Sequence, residues 1–236
     1  MIPKIIHYCW FGGKALPSDV KSCIESWKKY CTDYKIVQWN EKNFDISCHP
    51  FVKKAYDSKA WAFVSDYARL RVVYENGGIY LDTDVELLKS LDFLLENECY
   101  IGIQQAELLC TTGLGFGAQI HNPVVHEMLK KYDEIEFDLE NKEKFACPWL
   151  NNDVIARFGN IDFDRINYLD GVTVYPPRFF DPLSTGRSKN LMCEETVSIH
   201  HYSASWTNGA NRFKRKLIRM FGQEKFFYIA KFLGRR

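Results

Sequence analysis

The segment between residues 59 and 85 places the tightest constraint on the fold. A helix-like run from Lys59 to Glu75 ends at Asn76-Gly77-Gly78, and paired glycines after a polar residue are a strong helix stop. The apolar run Ile79-Tyr80-Leu81 follows at once and has the composition of a short buried strand that ends in Asp82-Thr83-Asp84. A helix that returns directly into a buried strand is typical of α/β domains with a parallel sheet.

The amino-terminal part of the chain shows the same alternation of strand and helix. A strand is predicted from Lys4 to Trp10, a helix from Ser18 to Tyr30 and a second strand from Tyr34 to Trp39. Later strands and helices are predicted at 100–104, 122–132, 149–158, 172–175 and 196–200, with a Gly-rich loop or broken strand at 111–118. With 46% hydrophobic residues and no internal repeat, the pattern predicts one domain over residues 1–211 and a helical tail over 212–236.

The net charge of +1 conceals an uneven distribution along the chain. From Thr207 to Arg236 there are nine Lys or Arg and one acid, whereas the preceding residues carry 22 basic and 29 acidic side chains. An acidic body without a basic stripe argues against nucleic acid as the main ligand. The basic tail, which also contains phenylalanines, is either a solvated helical appendage or a peripheral contact with an anionic membrane surface.

The eight cysteines and the amino terminus bear on the compartment. No two cysteines form a C-x-x-C pair, so their spacing gives neither a zinc signature nor a redox motif. The amino-terminal run MIPKIIHYCWFGG is too short in apolar length for a signal peptide or a membrane span. We therefore expect reduced thiols in a protein that is either free in the cytoplasm or peripheral on the inner face of a bacterial cytoplasmic membrane.

Asp82-Thr83-Asp84 is the strongest candidate for chemistry. If the chain stays extended at the strand end, the two carboxylates point to the same side, and ligands of open α/β sheets bind beyond the carboxyl ends of the strands. Two hard oxygen ligands there suit Mg²⁺ or Mn²⁺, and such a cation would bind a diphosphate. A D-x-D motif alone is weak, since a solvated turn is about equally common; its position after a buried strand strengthens it.

Three further side chains are candidates for the same site. Asp66 and Arg69 lie three residues apart on the predicted helix and so share a face, either as a simple ion pair or as contacts to sugar and phosphate oxygens. Near the end of the chain, His200 or His201 can complete the cation's ligand shell, and only one of two adjacent strand residues would face it.

Three motifs together resemble a known family. IPKIIHYCWFGG, SDYARLRVVYENGGIYLDTDV and IHHYSASW occur in this order over residues 2–206 and are similar to the DXD sugar-binding glycosyltransferases, glycosyltransferase family 32. That family includes bacterial capsule and lipooligosaccharide sugar transferases, with the clostridial glucosylating toxin domains as distant relatives. The resemblance implies a GT-A-type nucleotide-binding α/β domain with a mostly parallel central sheet, a nucleotide-sugar donor, a saccharide acceptor, and Mn²⁺ or Mg²⁺.

The resemblance also implies roles for individual residues. Trp10 is expected to stack on the nucleobase, and Asp66 and Arg69 to contact the donor sugar. Asp82, Asp84 and His200 are expected to hold the metal, with Asp82 also near the ribose and Asp82, Asp84 and Arg69 counted as catalytic. Ser205 and Trp206 are expected to close over the diphosphate.

The reaction expected from the resemblance is transfer of a hexose or N-acetylhexosamine, with a UDP-sugar favoured as donor, and with retention of anomeric configuration. No side chain stands out as a carboxylate nucleophile, so front-face attack is the working hypothesis.

One alternative is a haloacid dehalogenase-like phosphohydrolase using Asp82 and Asp84, although the motif would then belong on the first strand. Another is a binding module without catalysis. The acceptor is expected near the variable stretch 110–187, with Gly113–Gly117 and Asn151–Asp153 at its border.

Overall fold

The computed structural model describes residues 1–140, 145–183 and 189–203. Ser205, Trp206 and the predicted tail at 212–236 lie outside the described residues, so the division of the chain at residue 211 stays a prediction. In the described ranges no helix is long and apolar enough to cross a membrane.

The described residues form nine strands and six α-helices. The strands are β1 Ile5–Cys9, β2 Lys35–Trp39, β3 Gly78–Tyr80, β4 Val85–Leu87, β5 Cys99–Ile103, β6 Cys110–Ala118, β7 Asn167–Leu169, β8 Val172–Tyr175 and β9 Ser198–His200. The helices are α1 Ser18–Tyr30, α2 Pro50–Asp57, α3 Trp61–Asn76, α4 Pro123–Asp133, α5 Cys147–Ile155 and α6 Pro177–Phe180.

Seven strands form one central sheet in the order β2-β1-β3-β6-β5-β8-β7. β1 is parallel to both β2 and β3, and β5 is parallel to β8. Only β6 and β7 run against the other five, as their antiparallel pairings with β3, β5 and β8 show. The predicted α/β fold with a mostly parallel central sheet is therefore confirmed.

A separate two-stranded sheet joins the middle of the chain to its late part. β4 pairs antiparallel with β9, with Val85 opposite His200 and Leu87 opposite Ser198. Trp27 of α1 donates a hydrogen bond from Nε1 to the Val85 carbonyl at 2.7 Å, which ties this small sheet to the main body. The pairing brings residues more than a hundred positions apart next to the end of β3.

Two hydrophobic layers cover the two faces of the central sheet. α2, α3, α4 and α5 pack on one face and α1 and α6 on the other, as the two clusters of buried side chains show. Neighbouring strand residues contribute to opposite layers: Ile79 packs with α1, whereas Tyr80 packs with α3. A strand buried on both faces explains why Ile79-Tyr80-Leu81 is continuously apolar.

The paired glycines after α3 are required by both backbone conformation and space. Gly77 has φ 63° and Gly78 has φ 100°, values that favour glycine over residues with a side chain. A Cβ on Gly77 would lie 2.8 Å from the Pro3 ring, and one on Gly78 would lie 2.8 Å from the Ile5 carbonyl oxygen. The predicted helix stop is confirmed, and its cause is the close approach of α3 and β3 to β1.

Several local predictions need correction. The stretch 111–118 is not a loop: it lies in the nine-residue buried strand β6, which has one register shift opposite Ile101 and Gly102. Its glycines admit neighbouring side chains; a Cβ on Gly117 would be 2.7 Å from the Tyr100 ring. The short elements α2, β4, β7 and α6 were not predicted, because three to eight residues give too little periodicity to identify.

His7 of β1 connects this strand to β2 and to Gly77, the residue after α3. Its Nε2 lies 2.9 Å from the Gly77 carbonyl oxygen and its Nδ1 lies 3.0 Å from Nε1 of Trp39. Because a carbonyl only accepts and an indole N–H only donates, the ring must be neutral, with its proton on Nε2. Burial is the main cause that lowers the pKa of His7 to about 4.

We expect the free energy of unfolding to depend on pH through the protonation of His7. The pKa of His7 is about 4 in the folded protein and near 6.5 in the unfolded chain. Its contribution to the free energy of unfolding is therefore complete above pH 6.5 and falls by about 3 kcal/mol as the pH drops to 4. His7→Phe should lose about 2 kcal/mol at pH 7, because Gly77 and Trp39 lose their partner, and should flatten this dependence. Urea unfolding at pH 7, 6, 5 and 4 measures both effects.

The exposed His126 provides the control for this prediction. His126→Gln should keep the wild-type difference between pH 7 and pH 4. If His7→Phe keeps the same pH dependence as the wild type, His7 is not the group that titrates.

Candidate functional site

A cleft of about 400 Å³ opens beyond the carboxyl ends of β1 and β3. Its floor and walls come from the residues after these strands, from the start of α3, from the start of β6 and from the start of α5. Asp66, Arg69, Asp82, Asp84, His200 and Trp10 all line it. The structure therefore brings all the described residues predicted for the donor and cation site to one cavity.

Asp82 and Asp84 converge through a turn. The Asp82 carbonyl accepts a hydrogen bond from the Val85 amide at 3.0 Å, and Thr83 and Asp84 occupy the turn between β3 and β4. The carboxylates approach each other because the chain folds back here. The expectation that they converge holds, but the reason given for it, an extended strand end, is wrong.

Arg69 holds the first acid of the motif. Its Nη2 lies 3.0 Å from Asp66 Oδ1 and 3.1 Å from Asp82 Oδ1, and the guanidinium is almost fully buried. Its other N–H groups donate to the Ser65 carbonyl, to Thr112 Oγ1 and to Cys147 Sγ. Hydrogen bonds or ion pairs within the chain therefore engage all three guanidinium nitrogens, so the main effect of Arg69 is to fix the two carboxylates.

Asp82 is further constrained by its neighbours. The Tyr80 hydroxyl donates to Asp82 Oδ1 at 3.0 Å, and the Tyr80 ring lies under the Arg69 guanidinium at 4.9 Å. On the other side, the Cα of Gly113 is so close that a Cβ there would lie 2.6 Å from Asp82 Oδ2. Because Gly113 has no side chain, Asp82 Oδ2 can occupy this position.

Asp84 is held by residues from the far end of the chain. His200 Nε2 lies 3.0 Å from Asp84 Oδ1, and the Ser203 amide donates to Asp84 Oδ2 at 2.7 Å. The β4–β9 pairing sets this contact, since His200 stands opposite Val85. The adjacent His201 turns the other way, with its Nε2 2.8 Å from Glu86 Oε2. Of the two histidines, His200 is thus the one that faces the site.

The charges of the cluster are shifted by burial and by one another. Burial raises the pKa of Asp66 to about 6, against the opposing effect of Arg69, and burial likewise raises the pKa of Asp82. Burial alone would raise the pKa of Asp84, but His200 and the Ser203 amide lower it overall. Although burial opposes its charge, Asp84 and Asp82 raise the pKa of His200 to about 9. Without a cation, His200 therefore carries a proton that balances these acids.

The donor set fits a divalent cation. One ligand atom each of Asp82, Asp84 and His200 lies within 4.8 Å of the other two. Two carboxylates and an imidazole suit Mn²⁺ or Mg²⁺, and binding releases the proton from the imidazole. His200 Nδ1 is buried without a hydrogen-bond partner among the described residues, so loss of a proton from the imidazolium would leave one ring nitrogen able to coordinate a cation. The surrounding donors Arg69, Tyr80 and Ser203 N–H orient the carboxylates, as is typical around metal ligands.

Aromatic side chains form another wall of the cleft. Trp10 is half-buried in the cleft, with its indole N–H donating to the Lys14 carbonyl at 2.6 Å. Trp61 and Phe63 at the start of α3 line the same wall, and a Cβ on Gly12 would lie 2.8 Å from the Trp61 ring. Sequence reasoning identified Trp10 but missed Trp61 and Phe63, because aromatics at a helix start usually pack in the core.

The predicted border of the acceptor region divides in the structure. Gly113 lines the cleft, whereas Gly115 and Gly117 lie farther along β6, against Leu81 and Tyr100. Asn151 is buried and donates to Thr112 Oγ1 at 3.2 Å, whereas Asp153 is a surface residue paired with Lys131 and Arg157. The start of α5 therefore reaches the cleft through Cys147 and Pro148, but Asp153 is not part of it.

Known proteins resemble this chain in both sequence and fold. The family described as "Glycosyltransferase sugar-binding region containing DXD motif" matches residues 17–101, which include Asp66, Arg69, Asp82 and Asp84. Over this segment the chain is similar to the DXD-motif glycosyltransferases. The resemblance predicted from its three motifs is confirmed, and the structure adds Trp10 and His200, which lie outside the matched segment, to the same cleft.

Individual relatives agree with this assignment. The chain is 24% identical over 236 residues to an uncharacterized glycosyltransferase of Acanthamoeba polyphaga mimivirus, covering 96% of this chain and 90% of that protein. It is 31% identical over 122 residues to inositol phosphoceramide mannosyltransferase 3 of Schizosaccharomyces pombe, covering 49% of this chain and 33% of that protein. The solved structure of PaToxG glycosyltransferase shares the fold, with a TM-score of 0.52, 18% identity and coverage of 66% of this chain and 69% of that one.

We expect Gly113→Ala to disturb the cation site more than the fold. The added methyl would lie 2.6 Å from Asp82 Oδ2 and must push this carboxylate away from Asp84 and His200. The affinity for Mn²⁺, measured by calorimetric titration, should fall by about 10-fold or more.

Gly117→Ala is the matched control in the same strand. Its added methyl meets Tyr100 and the Gly78 backbone, far from the carboxylates, so it should lower the unfolding midpoint with little change in Mn²⁺ affinity. Unchanged Mn²⁺ binding by Gly113→Ala would contradict the placement of Asp82 in the site.

Proposed function

We propose that this glycosyltransferase moves a hexose or N-acetylhexosamine from a nucleotide-sugar, with a UDP-sugar favoured, to a saccharide acceptor in surface polysaccharide or glycolipid synthesis. The observation that carries the proposal is the convergence of Asp82, Asp84 and His200 in a cleft that is also lined by aromatic side chains. A site that combines hard cation ligands with flat apolar ring surfaces suits the chemistry of a nucleoside diphosphate.

The lining of the cleft supports a placement for each part of the donor. Trp10 and Trp61 offer ring faces for the base, and Asp82, Asp84 and His200 would hold the cation that meets the diphosphate. Asp66, held by Arg69, also lines the cleft and is the candidate acceptor of hydrogen bonds from the donor sugar's hydroxyls. Ser205 and Trp206 follow shortly after Ser203 in the sequence, and their closure over the diphosphate stays a prediction.

The divalent cation, Mn²⁺ or Mg²⁺, would be held by Asp82, Asp84 and His200. When bound, it neutralises the charge that develops on the departing nucleoside diphosphate. The chain's own contribution is to fix these ligands in advance: Arg69 and Tyr80 immobilise Asp82, and the Ser203 amide immobilises Asp84. Preorganised charge of this kind does not need to reorganise during the reaction.

For a transfer with retention, which the family resemblance implies, the arrangement of carboxylates favours front-face attack over double displacement. A double-displacement mechanism needs a carboxylate free to attack the anomeric carbon. Among the described cleft residues, Asp66 and Asp82 are engaged by Arg69, and Asp84 by His200 and Ser203. We therefore propose that the leaving phosphate accepts the proton of the acceptor hydroxyl while that hydroxyl attacks on the same face.

The two alternatives receive less support. A phosphohydrolase would use Asp82 as nucleophile, but its Oδ1 already accepts from Arg69 and Tyr80, and the motif follows β3 rather than the first strand. A catalytically silent binding module has no need for two acids and an imidazole gathered within 4.8 Å.

Release of nucleoside diphosphate from a donor panel tests the reaction. With Mn²⁺ present, the wild type should release it from at least one UDP-sugar and transfer the sugar to a saccharide acceptor. Asp84→Asn should lower this rate roughly 100- to 1,000-fold, because one preorganised charge is removed at the leaving group.

Asp153→Asn is the control for this assay, because Asp153 is a surface acid paired with Lys131 and Arg157. It should retain the wild-type rate. Full transfer by Asp84→Asn, or equal transfer after removal of divalent cations, would contradict the proposed role of the acids.

A lipid-linked acceptor would place the protein on the cytoplasmic face of a membrane. We extend the proposal to this location because nine basic residues and several phenylalanines are concentrated in the last thirty residues, the composition of a peripheral membrane contact. Each basic residue near an anionic surface contributes about 1 kcal/mol.

Liposome flotation tests the membrane contact with the full-length chain. Vesicles containing anionic phospholipid should bind the wild type, and replacement of Arg212, Lys214, Arg215 and Lys216 by Gln should release it. Vesicles of neutral phospholipid provide the control. Equal flotation of both proteins would remove the support for a membrane location.

A further inference from the structure

Asp181, at the end of α6, is a completely buried acid that the sequence motifs do not include. Its Oδ2 accepts two short hydrogen bonds, from the backbone N–H of Gln105 and from the Tyr202 hydroxyl, each at 2.7 Å. Gln105 follows Gln104, which lines the cleft, and Tyr202 follows the metal-ligand candidate His200 by two residues. Asp181 therefore joins the chain after β5 to the chain after β9.

Tyr202 makes the connection from Asp181 to the site. Its ring lies 4.1 Å from the His200 ring, centroid to centroid, so it packs on the imidazole that faces Asp84. The next residue, Ser203, donates its amide to Asp84 Oδ2 at 2.7 Å. Tyr202 therefore adjoins both groups that hold Asp84: it packs against the His200 ring and precedes the Ser203 amide.

The backbone of Tyr202 is in an unfavourable conformation. Its φ of 49° lies in the left-handed region, which a residue with a Cβ adopts only when its surroundings impose it. This conformation turns the Ser203 amide toward Asp84 while the Tyr202 hydroxyl reaches Asp181. The Asp181 hydrogen bond is thus one of the interactions that hold the strained backbone in place.

We propose that Asp181 is a positioning residue for the divalent-cation site, acting through Tyr202 on His200 and on the Ser203 amide. The inference rests on the cation site of the proposed function. It assigns to Asp181 no contact with substrate or cation; its effect is on how well His200 and Asp84 are oriented before the cation binds.

A purely structural role for Asp181 makes a different prediction. In that case, loss of its hydrogen bonds lowers stability but leaves the cation affinity of the folded protein unchanged. The affinity for Mn²⁺ alone, measured by calorimetric titration of the full-length chain, separates the two roles without relying on activity.

Tyr202→Phe is the most informative variant, because it keeps the ring on His200 and removes only the hydroxyl. We expect its dissociation constant for Mn²⁺ to rise about 10-fold, within the range typical for lost partners of metal ligands. Asp181→Leu, which removes both hydrogen bonds, should raise it at least as much. Asp181→Asn keeps an acceptor oxygen and should restore part of the affinity. The Tyr202→Phe/Asp181→Leu double variant should bind no more weakly than Asp181→Leu, since both act on one connection.

Thr196→Val is the matched control. Thr196 is buried in the segment leading to β9, and its hydroxyl donates to the Arg178 carbonyl on α6 at 2.9 Å, so it also attaches this segment to α6. It does not contact His200, Tyr202 or Asp84. We expect it to lower the unfolding midpoint and to keep the dissociation constant for Mn²⁺ within about twofold of the wild type.

The outcomes distinguish this inference from the proposed function. If Tyr202→Phe and Asp181→Leu bind Mn²⁺ as Thr196→Val does, while Asp84→Asn loses binding, Asp181 has only a structural role and the cation site stands. If Asp84→Asn binds Mn²⁺ as tightly as the wild type, the cation site and the inference fail together. Asp181→Leu carries the risk of not folding, in which case the result for Tyr202→Phe alone decides the inference.

Discussion

The contact between Asp84 and the late segment of the chain is the interaction on which the site depends. Asp84 lies in the turn after β3, and His200 and Ser203 reach it only because β9 pairs with β4. Without this pairing, the middle of the chain supplies two acids and no imidazole. The central sheet thus provides a rigid edge, and the small β4–β9 sheet completes the ligand set on it.

Burial of so much charge requires internal balance. Asp66 and Asp84 are buried and Asp82 is mostly buried, so each would be costly to leave unpaired. Arg69 pairs with Asp66 and Asp82, and the protonated His200 pairs with Asp84 while no cation is bound, which leaves one excess negative charge in the cluster. A divalent cation can take over the role of this proton, so the acidic cluster is both stable in the free protein and prepared for a diphosphate.

The sequence predicts which residues form the site better than it predicts how they are arranged. The strand–helix order, the glycine stop and the acids were predictable because each has a local physical signal. The turn at Thr83 was not predictable, since it replaces an expected extended strand end. The residue pattern alone left His200 and His201 open, because the choice depends on pairing between residues 115 positions apart; only the family resemblance pointed to His200. Trp61 and Phe63 resemble core aromatics, and Asp181 belongs to no motif. Their roles arise only from tertiary contacts.

The most direct test of the account is to locate the cation itself. Crystals grown with Mn²⁺ and a nucleoside diphosphate, measured at the manganese absorption edge, should show one anomalous peak bonded to Asp82, Asp84 and His200 Nε2 or Nδ1. The expected ligand distances are about 2.0–2.3 Å, with diphosphate oxygens completing the shell. An anomalous peak elsewhere, or one that touches the acids while His200 keeps its contact with Asp84, would contradict the proposed convergence.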